Sequence, residues 1–106
     1  MNKDKLMKIL LDPETSDAEK DDAVIDLGSN FQDDETIDFL INVSNDTSYD
    51  KMITSSCGES IAHIWIHKQQ IDYGKLLNLK GAALAEALSL IQEQRPDWYK
   101  NYLNMH

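Results

Sequence analysis

DKMITSSCGESIAHIWIH, residues 50–67, is the stretch whose reading decides the fold. Ile53, Cys57, Ile61 and Ile64 recur every three or four residues, with Lys68 closing the stripe. That is the period of a helix lying against a core, not the alternation of a strand. The spacing predicts one long helix from about Asp50 to His67. Gly58 falls inside it, where glycine costs roughly 1 kcal/mol relative to alanine. A close approach by a neighbouring helix accounts for a glycine there, and so does a kink.

The same period continues on the N-terminal side. Leu6, Ile9 and Leu10 mark a short first helix ending near Leu11, because Pro13 disfavours helical geometry at Asp12. Ser16 and Glu19 have the spacing of a capping box, in which hydroxyl and carboxylate each satisfy a free backbone N–H. A second helix follows with Ala23, Val24 and Leu27 inside, and Gly28 is expected to end it in the left-handed conformation. Asp33 is placed to cap a third helix carrying Ile37, Leu40, Ile41 and Val43, with Asp34 and Glu35 complementing its dipole in the first turn.

Beyond the long helix, Ile71 to Leu79 reads as a turn or short helix around Gly74. Gly81 to Gln94 reads as a further helix with Leu84, Ala87, Leu88 and Ile91 inside. Pro96 both ends that helix and suits the first turn of a last one, through Trp98, Tyr99, Tyr102 and Leu103. The class is all-α, a single helical domain over residues 1–106 with six or seven helices. A faint repeat runs through it. Val24-x-x-Leu27 followed by Leu40-Ile41-x-Val43 is echoed, 36 or 37 residues later, by Ile61-x-x-Ile64 and Leu76-Leu77-x-Leu79. A short stack of antiparallel helix pairs (an α-solenoid) and an irregular bundle both fit that signal.

Of nineteen acidic residues, thirteen lie between Asp12 and Asp50, where Lys20 is the only basic side chain. The net charge of −9 is therefore a regional feature. Such a region repels nucleic acid and anionic membranes and steers basic partners. The apolar fraction of 42% is that of a globular chain, and no stretch approaches the ~20 apolar residues a membrane span requires. The lysine-bearing start has only a short apolar run broken by Lys8, and Cys57 is the single cysteine. The expectation is a cytoplasmic protein without disulfides.

With DDETIDFLI (33–41), CGESIAHIW (57–65) and ALAEAL (83–88), the chain resembles the HEAT-like bacterial immunity proteins found beside polymorphic toxins, including those of contact-dependent growth inhibition systems. The resemblance covers roughly residues 16–94. It implies a HEAT-like α-solenoid and a stoichiometric inhibitor that binds a cognate toxin domain and blocks its active site. The residues themselves have to supply the interface.

Asp22 and Asp26 share a face of the second helix, and Asp34 and Asp38 repeat that arrangement on the third. Like charges at this spacing destabilise an isolated helix by a few tenths of a kcal/mol. Together with Asp33 and Glu35 they form the expected partner-binding surface. A basic, nuclease-type toxin is a fitting target, because carboxylates stand in for phosphates in a cationic cleft. Tight binding also needs an apolar anchor, and Tyr49, Trp65 and Phe31 are the candidates.

Enzymatic patterns are weaker. Glu59, His63 and His67 lie four apart on one helix face, but Ile64 stands where a zincin would carry its general base. Cys57 has no basic neighbour in sequence and reads as a small buried hydrophobe. Asp21, Asp22 and Asp26 lack the order of a calcium loop, and there is no phosphate-cradling glycine-rich loop. The chain is read as a non-enzyme needing no cofactor. A helical adaptor for a basic host segment is the alternative to an immunity protein.

Overall fold

Seven helices are found among residues 2–105, which the computed structural model describes: α1 (Lys3–Leu11), α2 (Asp17–Asn30), α3 (Asp34–Ser44), α4 (Lys51–Lys68), α5 (Tyr73–Leu76), α6 (Gly81–Gln94) and α7 (Pro96–Leu103). Their starts follow local chemistry. Carboxylates of Asp33, Asp50 and Asp72 accept the N–H groups of Thr36, Met52 and Lys75, and Asn2 and Ser16 do the same for Lys5 and Glu19. Each such cap satisfies a backbone donor that the helix itself leaves open. The capping box at Ser16 is only half formed: the Glu19 carboxylate accepts from the Ser16 hydroxyl at 3.0 Å rather than from a backbone N–H. Pro96 occupies the first turn of α7, as expected. No described helix is long and apolar enough to cross a membrane.

α4 is the centre of the molecule. It packs against α2, α3 and α6, while α1 lies on α2 and α7 on α6. α3 rests mainly on α4 and barely touches α2. Ile53, Cys57, Ile61 and Ile64 are buried as their stripe predicts, but so are Ser60, Ala62 and Trp65. A helix with neighbours on several sides has no single apolar stripe. In the second half of the internal repeat, the counterpart of the eleven-residue α3 is the four-residue α5, and Leu77 is exposed where Ile41 is buried.

Two glycines set how closely the helices approach. A methyl group added at Gly58 would lie 2.0 Å from the Ala83 carbonyl oxygen, so α4 and α6 touch backbone to backbone there. Neighbour approach, not a kink, accounts for this glycine. Gly28 does not end α2, which continues to Asn30. It is buried against Ser60, whose Cβ would stand 2.6 Å from an added methyl group. The Ser60 hydroxyl donates to the Val24 carbonyl at 3.2 Å, so the α2–α4 crossing is hydrogen-bonded as well as tight. The only positive-φ glycine among the described residues is Gly81, at the start of α6.

Gly58→Ala is expected to lower stability by about 2 kcal/mol, because overpacking against backbone outweighs the gain of roughly 1 kcal/mol in helix propensity. Urea unfolding followed by circular dichroism measures it. A neutral or stabilising result would mean that α4 and α6 are farther apart than described.

Candidate functional site

The acidic start of α3 is built by helix-terminus electrostatics. Unpaired N–H groups and the helix dipole favour carboxylates at a helix start, and here Asp33 caps α3 while Asp34 and Glu35 occupy its first turn. These carboxylates are not free. Lys3, from the start of α1, reaches Asp33 at 3.0 Å and Glu35 at 2.6 Å. Lys75 pairs with Asp38 at 2.9 Å, and Lys68 and Lys75 approach Asp34 at 3.8 and 3.9 Å. The Glu35 and Asp33 carboxylates raise the Lys3 pKa, and Asp38 chiefly raises that of Lys75. Four of the predicted site residues therefore hold α1, the end of α4 and α5 to α3.

Asp33 carries the largest consequence. The Thr36 hydroxyl, which lies beside the carboxylate without a well-aligned hydrogen bond, the Thr36 N–H and Lys3 together hold it at about 2, against a smaller opposing effect of burial.

Asp22 and Asp26 on α2 are different: both are exposed and have no ion-pair partner among the described residues. Between them in sequence stands Ile25, 49% exposed, one helical turn from Asp22 on the same face. Ile25 and Ser29 form one wall of a groove of about 160 Å³ whose other wall is Ser56, Glu59, Ser60 and His63 of α4. A second groove of about 180 Å³ lies between α4 and α6, lined by Glu59, Glu86, Ser89, Leu90 and Glu93. Glu59 belongs to both. No lysine or arginine lines either groove. Met52, 46% exposed, sits one turn before Ser56 on the same stripe of α4.

The fold thus divides the predicted surface. Asp34 lies in a third groove, of about 330 Å³, with Trp65, Lys68, Gln70, Ile71, Asp72 and Tyr73. Asp22 and Asp26 line neither groove but stand on α2 one turn from Ile25 and Ser29 respectively, which border the α2–α4 groove, while Glu59, Glu86 and Glu93 line the grooves themselves. Sequence reasoning missed Glu86 and Glu93 because they come from a half of the chain whose charges nearly cancel. Their seven-residue spacing, two turns on one helix face, was the available signal.

Of the three proposed aromatic anchors, Trp65 is enclosed and Tyr49 and Phe31 are only partly exposed. Trp65 is only 2% exposed, because the central position of α4 buries it along with Ile64. Tyr49 is half-buried, its hydroxyl donates to the Leu10 carbonyl at 2.8 Å, and the Lys20 ammonium lies 5.7 Å from its ring. It fastens the end of α1 to the loop before α4. Phe31, at the end of α2, packs against the core.

Cys57 is fully buried, and desolvation, followed by the charge of Asp21, pushes its thiol up to about 12. Glu59, His63 and His67 are all exposed on α4. No group of three or more His, Cys, Asp or Glu side chains among the described residues is arranged to hold a metal ion. Scanned against protein-family models, curated proteins and solved structures, the chain matches none of them.

Two outcomes follow for these groups. Asp33 stays ionised in the fold below the pH at which it protonates in the unfolded chain. Its contribution is therefore complete above about pH 4 and lost as pH falls through about 2. Asp33→Ala should cost about 1 kcal/mol at neutral pH, the size of a lost cap after allowance for solvent screening, and should flatten the acid limb of the stability profile in that window. Cys57 should resist a thiol reagent in the native protein at pH 8 and react fully in denaturant; rapid native labelling would contradict its burial.

Proposed function

We propose that this chain is a non-catalytic, stoichiometric inhibitor acting in the cytoplasm: a HEAT-like immunity protein that binds a cognate, basic toxin domain of nuclease type and covers its substrate-binding surface. The observation that carries the reading is the α2–α4–α6 face. Glu59, Glu86 and Glu93 line its grooves, Asp22 and Asp26 are exposed on α2 beside it, none of the five has an internal ion pair among the described residues, and Ile25 and Met52 are exposed on the same helices.

Free carboxylates are what long-range steering uses, because a charge already matched by an internal lysine contributes little field at a distance. Apolar side chains among them supply the desolvated contact that charge alone lacks. A nuclease has to grip phosphates, so its cleft offers arginines and lysines to such a surface. The row of α2, α4 and α6 supports the short-solenoid reading. The repeat positions Val24 and Leu27 on α2 and Ile61 and Ile64 on α4 are all buried, and the Ser60–Val24 bond joins the two helices at that level.

The reading expects a toxin-like domain to be encoded by the adjacent upstream gene, and it is tested by looking for that gene and co-expressing the chain with its product. Restored growth and a one-to-one complex on size-exclusion chromatography are expected, and unrelieved toxicity removes the reading. With that domain in hand, Asp22→Lys with Asp26→Lys should slow association about tenfold at low salt and much less at 1 M, where the Debye length falls to about 3 Å. Asp34→Lys with Asp38→Lys should chiefly lower stability, since Lys68 and Lys75 would then face lysines. An association rate that responds only to the α3 pair would move the contact to the start of α3.

A further inference from the structure

We infer that the two grooves beside Glu59 form a paired receptor for a basic helix, which lies across α2, α4 and α6 and drops one long cationic side chain on each side of α4. The inference rests on the inhibitory reading above and goes beyond it by naming the contact site and the form of the partner segment.

The grooves owe their shape to small residues. The α2–α4 groove runs where Gly28 meets Ser60, with Ser29 and Ser56 at its edge. The α4–α6 groove has Ser89 and Leu90 in its lining and belongs to the helix pair that meets at Gly58 and Ala83. Serines leave room where longer side chains would fill the space. Carboxylates flank that room: Glu59 on both sides of α4, with Glu86 and Glu93 along the second groove. Each groove therefore pairs vacant volume with negative charge and has no competing lysine or arginine in its lining.

The spacing then constrains the occupant. The grooves lie on either side of one helix, and packed helices are about 8–10 Å apart. Two residues seven apart on a helix lie on one face and are separated by about 10.5 Å along its axis. Residues four apart reach only about 6 Å. A helix with two arginines two turns apart fits the pair of grooves, with Glu59 between the two guanidinium groups. An apolar residue one turn outside such a pair, on the α2 side, is placed to meet Ile25. Arginine suits the site better than lysine because its planar fork can bind a carboxylate through two parallel hydrogen bonds.

The test uses the intact chain and two synthetic helical peptides of about 20 residues, long enough to hold helix in solution. One has two arginines seven apart with a leucine one turn outside the pair. The other has the same composition with the arginines on opposite faces. Titration into isotope-labelled protein should move the amide signals of Ile25, Ser29, Ser56, Glu59, Ser89 and Leu90, with the first peptide binding about tenfold more tightly than its isomer. Glu59→Lys should weaken it by a similar factor. Ser89→Trp, which changes no charge but fills the second groove, should do the same, an effect that general electrostatic attraction does not produce. Circular dichroism of both variants checks that the fold is kept.

Equal affinity for the two peptides, signal changes centred on Asp34 and Tyr73, or indifference to Ser89→Trp would each overturn the paired-groove site. Failure here is distinct from failure of the inhibitory reading. A toxin domain that still binds Glu59→Lys and Ser89→Trp at full strength overturns the groove site alone. Unrelieved toxicity on co-expression removes the inhibitor, whatever the peptides do.

Discussion

Everything in this molecule is arranged around the backbone contact between α4 and α6 at Gly58 and Ala83, and its counterpart between α4 and α2 at Gly28 and Ser60. Side chains of ordinary size at those positions would force the three helices apart. With them close, α4 is enclosed from several directions, which explains why Trp65 belongs to the core and why Cys57 has no route to solvent. Close approach also shapes the surface. Between helices in near contact only shallow furrows remain, and Ser29, Ser56 and Ser89 leave those furrows open while Glu59, Glu86 and Glu93 stand along them.

The negative charge has two separate uses. At the start of α3 it is structural: the carboxylates cap the helix, complement its dipole and draw in Lys3, Lys68 and Lys75 from three other parts of the chain. Most of these pairs are exposed and individually worth at most about 1 kcal/mol, but together they tie down otherwise lightly held segments. On the α2–α4–α6 face the carboxylates have no counterions among the described residues, so their mutual repulsion is a cost that a basic partner would remove. Arg95 is absorbed elsewhere, paired with Asp97 at 2.9 Å and stacked over Trp98 at 3.9 Å.

Helix positions were legible in the sequence because they depend on local signals. Asp33 and Asp50 before apolar-periodic segments, Pro96 at the start of α7 and the stripe from Ile53 to Ile64 all report chemistry within a few residues. Gly28 misled for the same reason: locally it resembles a helix terminus, and only the presence of Ser60, 32 residues away, shows that it is a packing position. The acidic surface was half legible. Asp22 and Asp26 are recognisable from their own helix. That Asp34 and Asp38 are matched by Lys75, and that Glu86 joins the face carrying Ile25, are facts of tertiary arrangement which no regional charge sum contains.

The order of packing also grades how the molecule opens. α4 is held by three helices, whereas α7 rests chiefly on α6 and is joined to α5 by a bond of 3.3 Å between Asn101 and the Tyr73 hydroxyl. Backbone amides in α7 are therefore expected to open in fluctuations that leave the rest folded, and those in the middle of α4 to be the best protected. The α2–α4–α6 face is built around the helix that packs against the most neighbours. A partner that grips it meets a surface already rigid, and gives up little conformational entropy on the protein side.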